Sequence, residues 1–325
     1  MSLAVARTRR PGRLVSIPLL LLIGSAALYL CAALWTRSFN QLDVEGIIGL
    51  LQRMVALGTV ALGQTLVILC GSIDLSVGSL ISTGAVLASF IMRGQPALML
   101  PAVATVVAVS AVVGAVNGLV ISRLKVSPLI ATLGSGLILQ GVLSANFNNF
   151  AGSVPPDFEV VAYGAIGPLP WSVLGLFLLT LATSWLLRKT RFGAHLFAVG
   201  GNAAGARLAG IRTGRVTIQA HVLSSLFAGL TGLYLASRLR SGAPWIGRDG
   251  VYDLESIAVV VIGGTLLSGG RGSVWGTVAG VLLFAVVDAA FNMLGVPAFP
   301  KQVIRGAIVV LAVAIYSART HGHVA

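Results

Sequence analysis

The groups that this sequence offers for acid–base, metal or nucleophilic chemistry are few: nine acids, four histidines and two cysteines in 325 residues. His195, His221, His321 and His323 lack the spacing of a metal site. No serine or cysteine stands in a recognisable nucleophile–base pattern. Cys31 and Cys70 lie inside apolar runs and are expected as buried small hydrophobes. No catalytic residue and no metal ligand is therefore assigned, and a membrane enzyme is disfavoured.

Three stretches carry polar or conformationally special residues where apolar ones would be cheaper. The first is Gly71-Ser72-Ile73-Asp74-Leu75-Ser76-Val77-Gly78-Ser79, which joins two apolar runs with almost no polar spacer. An acid at membrane depth is costly unless a partner or water satisfies it. Glycine and serine around it let a helix end or break, so that free N–H groups can bind the carboxylate. Asp74, Ser76 and Gly78 are read as a gate or pathway element. Asp74 acting as the cap of a helix beginning near Leu75 is a compatible alternative.

The second stretch, 188–215, is longer than a passive helix connection needs to be. It holds Arg188, Lys189, Arg191, Arg207, Arg212 and Arg215, and a short helix is expected near 202–209 with Asn202 as its N-cap. Small alanine faces between glycine hinges suit docking into a partner's groove, and a basic loop resting on anionic lipid is the alternative. The third stretch runs from Ile262 to Gly276 and contains Gly263, Gly264, Gly269, Gly270 and Gly272. It lacks a P-loop lysine, since the only lysines are Lys125, Lys189 and Lys301. A tight turn between closely packed helices is expected there.

The elements that must position these stretches follow from composition. Hydrophobic residues make up 56% of the chain and charged ones 10%, with mean hydropathy +0.95, whereas soluble domains carry about 25% charged residues. That excludes a soluble globular enzyme and a disordered chain alike. With charged residues as punctuation, uncharged runs at 54–73, 75–92, 94–122, 126–156, 160–187 and 216–237 each hold one helix. A first, uncleaved helix is expected over 14–36, and three more near 251–267, 274–294 and 302–317. The result is an all-α polytopic membrane protein of about ten transmembrane helices. The expected organisation is a basic N-terminus at 1–13, one membrane domain at 14–317 and a short tail at 318–325.

Net charge is +13, yet the basic residues gather between apolar runs, which points to membrane topology and not to nucleic acid. With both termini cytoplasmic, 14 of the 22 basic residues fall inside and 6 outside, while Arg53 and Arg305 lie within spans. That bias fits the positive-inside rule. The count admits an inverted repeat pairing the second to fifth helices with the seventh to tenth, without evident residue identity between the halves. Gly114 with Gly118, and Gly276 with Gly280, make small-residue pairs suited to close helix packing.

The Asp74 segment, the Arg191–Ile211 loop and the Ile262–Gly276 segment, in this order and spacing, resemble the permease subunits of ribose-type sugar ABC importers of bacteria. The resemblance runs roughly from Ile47 to Ser317. It implies that two permease chains, identical or paralogous, form a pathway in the inner membrane. It also implies a separate ATPase subunit that binds ATP-Mg, and a periplasmic or lipid-anchored protein that delivers the sugar, with no cofactor on this chain itself. On that resemblance the ATPase-coupling loop maps to Gly193, Gly200, Asn202, Ala206, Leu208, Gly210 and Ile211. An acidic residue opening that loop, usual in other importer classes, is absent here.

A monosaccharide passing weakly through such a pathway needs neutral hydrogen-bonding groups and aromatic faces. Candidate lining residues are Gln64, Asn117, Gln140, Ser144, Asn146, Phe147 and Asn148, each of which could instead bridge neighbouring helices. Asp288 and Arg305 are expected to form a structural ion pair near the outer ends of consecutive helices. The competing function is an ion-coupled secondary transporter for a small polar solute, with Asp74 or Asp288 as the coupling acid. ATP dependence separates the two.

Overall fold

The computed structural model describes residues 17–297, 299–307 and 310. The expected basic N-terminus at 1–13 and tail at 318–325 lie outside the described residues. So does most of the expected last helix at 302–317, of which the helical stretch 299–307 gives the beginning.

In chain order the helices are α1 (Ile17–Trp35), α2 (Val44–Leu69), α3 (Val77–Met92), α4 (Met99–Arg123), α5 (Pro128–Asn146), α6 (Pro156–Tyr163), α7 (Trp171–Lys189), α8 (Arg191–Gly201), α9 (Ala203–Leu208), α10 (Thr213–Leu239), α11 (Ile246–Asp249), α12 (Tyr252–Ile262) and α13 (Val274–Met293). Seven of them, α1, α2, α4, α5, α7, α10 and α13, are long and apolar enough to cross a membrane. A two-residue-strand hairpin, Ala165–Ile166 against Leu169–Pro170, precedes α7.

Three departures from the expected spans have local causes. The run 160–187 is interrupted because Gly167 at positive φ, together with Pro168 and Pro170, turns the chain into that hairpin, so α7 starts only at Trp171. The span expected at 251–267 shrinks to the 11 residues of α12, because Gly264, Gly269 and Gly270 take left-handed φ in the following turn. The 16-residue α3 is also short, since its chain leaves α2 through the irregular stretch 70–76.

The core forms around α2 and α10, which pack on each other. From Met54 to Leu69 every residue of α2 is buried. α10 also packs against α3 and α4, and α2 against α12 and α13, while α1 covers α13 and α5 lies on α3 and α4. Small residues permit this closeness. A Cβ on Gly114 or Gly118 of α4 would stand 2.6 or 2.5 Å from backbone atoms of α10. Gly276 and Gly280 of α13 press still more tightly on Gly263, just past α12, and on Val259 of α12.

The outward face of α7 is apolar: Phe177, Leu178 and Trp185 are exposed. Exposure of that kind on span-length helices is what a lipid-facing surface requires. Cys70 is buried as expected, whereas Cys31 lies on the exposed face of α1.

Candidate functional site

The three stretches singled out in the sequence meet at one end of the bundle. Gly270 donates its backbone N–H to the carbonyl of Leu69, the last residue of α2, at 3.0 Å. Gly200 of α8 sits against both: a Cβ there would overlap the Leu69 oxygen and stand 2.6 Å from the Gly270 nitrogen. Gly71 lies beside Ser268 and Gly200, and a Cβ on Gly269 would come within 2.9 Å of Gly200 Cα. The junction is thus backbone against backbone, which only residues without side chains permit.

From this junction the chain 70–76 turns back into the bundle. Asp74 is completely buried. Its Oδ1 accepts from the backbone N–H of Ser76 at 3.0 Å and from the Ser76 hydroxyl. Asn117 of α4 donates Nδ2–H to the same Ser76 oxygen at 3.0 Å. The N–H of Leu75 is held by Thr132 Oγ1 of α5 at 3.0 Å. His221 of α10, also fully buried, shares a hydrogen bond with the Ser72 hydroxyl through Nε2 at 2.8 Å. Its Nδ1 lies 3.7 Å from Asp74 Oδ2. Among the described residues neither of those two atoms has a hydrogen-bond partner.

Groups from α4, α5 and α10 thus surround the break: Ser76 bonds the carboxylate, Asn117 and Thr132 hold Ser76 and Leu75, and His221 stands beside Oδ2. Asp74 makes a cap's bond, its carboxylate accepting the N–H two residues on, while the regular helix starts later. α3 begins at Val77 with Ser76 in the N-cap position, two residues later than the alternative reading placed it. Gly78 in the first turn of α3 lies against Gly247 of α11, where a side chain on either glycine would meet the other strand of backbone or Asp253.

Beyond the junction, 191–208 is helical nearly throughout, as α8 followed by α9. Thr190 caps α8 by accepting from Gly193 N–H at 3.3 Å. Asn202 caps α9 by accepting from Gly205 N–H at 2.9 Å, as the sequence suggests. The loop residues divide by side. Gly193 and Ala206 are buried and Ile211 and Gly200 partly so, all facing the bundle. Asn202, Gly210 and Leu208 face away, and Leu208 is 92% exposed.

A second polar cluster joins α2, α13, α12 and the helical residues 299–307. Arg53 Nη1 bonds Asp288 Oδ2 at 2.9 Å, and Arg305 Nη2 bonds Asp288 Oδ1 at 2.6 Å. Arg305 Nη1 also lies 3.3 Å from Glu255 Oε1. These groups border a cavity of about 230 Å³ that Tyr234, Arg238 and Tyr252 complete.

The residues proposed to line a pathway are not brought together in the single chain. Gln64 is buried in α2 with neither amide atom hydrogen-bonded among the described residues, and Asn117 belongs to the Asp74 cluster. Gln140 and Ser144 bond each other on the open side of α5 at 3.3 Å. Asn146 and Asn148 are exposed there, and Phe147 stacks edge-on with Phe90. Sequence reasoning missed His221, Thr132, Arg53 and Glu255. A charged or imidazole side chain inside an apolar run is the signal that picks out His221 and Arg53. Thr132 carries none. Among the described residues no group of three or more His, Cys, Asp or Glu could hold a metal ion.

The family described as "Branched-chain amino acid transport system / permease component" matches residues 46–313. The ribose import permease protein RbsC of Escherichia coli is 36% identical over 298 residues, covering 89% of this chain and 91% of the relative. The ribose import permease protein of Bacillus subtilis is 34% identical, covering 90% of each. The galactose/methyl galactoside import permease protein MglC of Escherichia coli is 34% identical, covering 79% and 82%. No solved structure matches the chain. The matched segment takes in the Asp74 break, the glycine junction and the second cluster, and the chain belongs to the branched-chain amino acid transport system / permease component family.

Proposed function

We propose that this chain is the membrane-spanning permease subunit of an ATP-driven ABC importer that passes a monosaccharide across a bacterial inner membrane. The observation that carries the reading is similarity to ribose import permeases over about nine-tenths of both chains. The geometry supports it. The exposed side of α9, with Leu208 outward, offers a small apolar knob to a separate ATPase. The preceding helix α8 is fixed to α2 and the Gly269–Gly270 turn through Gly200. A push on α9 therefore reaches the Asp74 break through contacts between rigid backbones.

In this reading ATP-Mg binds the ATPase, and closure of that partner switches the bundle between inward- and outward-open states. A second permease chain faces the side of α5 that carries Leu133, Leu137, Gln140 and Ser144, where the two polar groups would be poorly placed in lipid. A binding protein delivers the sugar from outside. Ten spans in an inverted repeat, with both termini cytoplasmic, complete the arrangement.

Purification of the tagged chain in mild detergent, with partners identified by mass spectrometry, tests the assembly. A P-loop ATPase and a sugar-binding protein are expected, with the ATPase lost when Leu208 is changed to Asp. A folded chain that transports sugar with no ATPase bound contradicts the reading and favours ion coupling through buried Asp74.

A further inference from the structure

The two polar clusters have the same construction in opposite order. α10 packs on α3 and α4, and α2 packs on α12 and α13. Each of the short helices α3 and α12 follows a connection that dips into the bundle, the irregular stretch 70–76 in one case and 240–251, with the single turn α11, in the other. The second stretch is seated deep: Gly242 bridges to Ala151, and Gly247 donates its N–H to Ser82 Oγ of α3 at 2.9 Å. Asp74-Leu75-Ser76 stands just before α3, and Asp253-Leu254-Glu255 opens α12.

The cluster at the first break takes Ser76 from the break, Asn117 from α4, Thr132 from α5 and His221 from α10. The cluster at the second takes Glu255 from α12, Asp288 from α13, Arg305 from 299–307 and Arg53 from α2. In each, the cationic or imidazole group reaches across from the long lead helix of the other half. His221 is the ninth residue of α10, and Arg53 the tenth of α2. The clusters lie toward opposite ends of the bundle. Tyr234, which borders the second, is thirteen residues past His221 on α10, about 20 Å along a helix rising ~1.5 Å per residue.

We infer that these clusters are a matched pair of latches, one for each end of the bundle, and that His221 and Arg53 are the positioning residues that draw them shut. The inference rests on the alternating-access reading above. The second latch is drawn in this structure, with ion-pair contacts of 2.9 and 2.6 Å. In the first, the contact of His221 Nδ1 with Asp74 Oδ2 stands open at 3.7 Å, beyond hydrogen-bond reach, while His221 Nε2 holds Ser72 at 2.8 Å. Movement of the glycine junction shifts 70–76 relative to α10 and closes or widens that gap. Packed elements with two discrete arrangements couple such changes, so tightening one latch releases the other.

Hydrogen–deuterium exchange on the importer in lipid nanodiscs tests this, with His221→Gln and Arg53→Gln as variants that keep a polar side chain. His221→Gln, which removes the imidazole bonded to Ser72, is expected to raise exchange in 70–76 by about threefold and lower it in 240–255, the scale of losing one net hydrogen bond. Arg53→Gln is expected to do the reverse. Local loosening with no change at the other break, or loosening of both breaks together, overturns the pairing. If either variant is poorly folded, Asp74→Asn and Asp288→Asn replace them with the same readout. ATP-dependent uptake by the wild-type preparation reports separately on the importer reading, so the two failures are told apart.

Discussion

Gly270 donates its N–H to the Leu69 carbonyl at 3.0 Å, and Gly200 closes so tightly on the pair that a side chain there would overlap that oxygen. Three segments far apart in sequence are thereby locked backbone to backbone beneath the Asp74 break. A Gly200→Val substitution must push α8 off this junction. Overpacking of this kind costs about 1–3 kcal/mol. We expect reduced yield and, in the protein that does fold, sugar-stimulated ATP hydrolysis near the unstimulated level. Normal stimulation in Gly200→Val would show that the contact transmits nothing.

Leu208 isolates docking from folding. It is 92% exposed and ends α9, while its neighbour Ala206 is buried. Surface changes away from special features usually alter stability by no more than about 0.5 kcal/mol. Leu208→Asp is therefore expected to leave the melting temperature in detergent unchanged while abolishing co-purification of the ATPase. Retention of the ATPase at wild-type levels would place the docking surface elsewhere.

Thr132 holds the N–H of Leu75 at the turn into α3. Thr132→Val keeps the shape and removes the acceptor, leaving that donor orphaned. An unsatisfied buried polar group costs about 1–3 kcal/mol. A lowered melting temperature is expected, with Thr132→Ser close to wild type. Equal destabilisation by valine and serine would assign the effect to packing and not to the hydrogen bond.

The orientation is open to chemical labelling. Leu208→Cys and Arg248→Cys place thiols on α9 and α11, which the positive-inside argument puts on opposite sides of the membrane. In inverted membrane vesicles with Cys31 and Cys70 changed to Ser, a membrane-impermeant maleimide should modify the first and spare the second. Modification of the second alone would invert the topology.

Much of this was legible in the sequence where a residue type was out of keeping with its surroundings. Asp74 among glycine and serine marked a break, the glycines around Gly269 marked a tight turn, and Asn202 marked a helix start. Partnerships over long separations were not legible. His221 meets Ser72 across 149 positions, and Arg53 meets Asp288 across 235. Nothing local to a lone His in α10 or a lone Arg in α2 names the partner. Asp288 and Arg305, 17 residues apart on neighbouring antiparallel segments, were easier to associate. The capping role of Asp74 was legible and is met by its bond to the Ser76 N–H, although α3 is regular only from Val77. The polar residues of α5 were identifiable as unusual, but their role depends on what faces them outside the single chain.

The central claim is that ATP drives sugar across the membrane through this chain. The most direct measurement is uptake of radiolabelled ribose and galactose into proteoliposomes carrying the complete complex, with binding protein outside and ATP-Mg enclosed. Uptake that requires enclosed ATP and survives collapse of proton and sodium gradients is the expected result. Uptake that continues without ATP and stops when those gradients are collapsed would contradict it, and would make this chain an ion-coupled transporter.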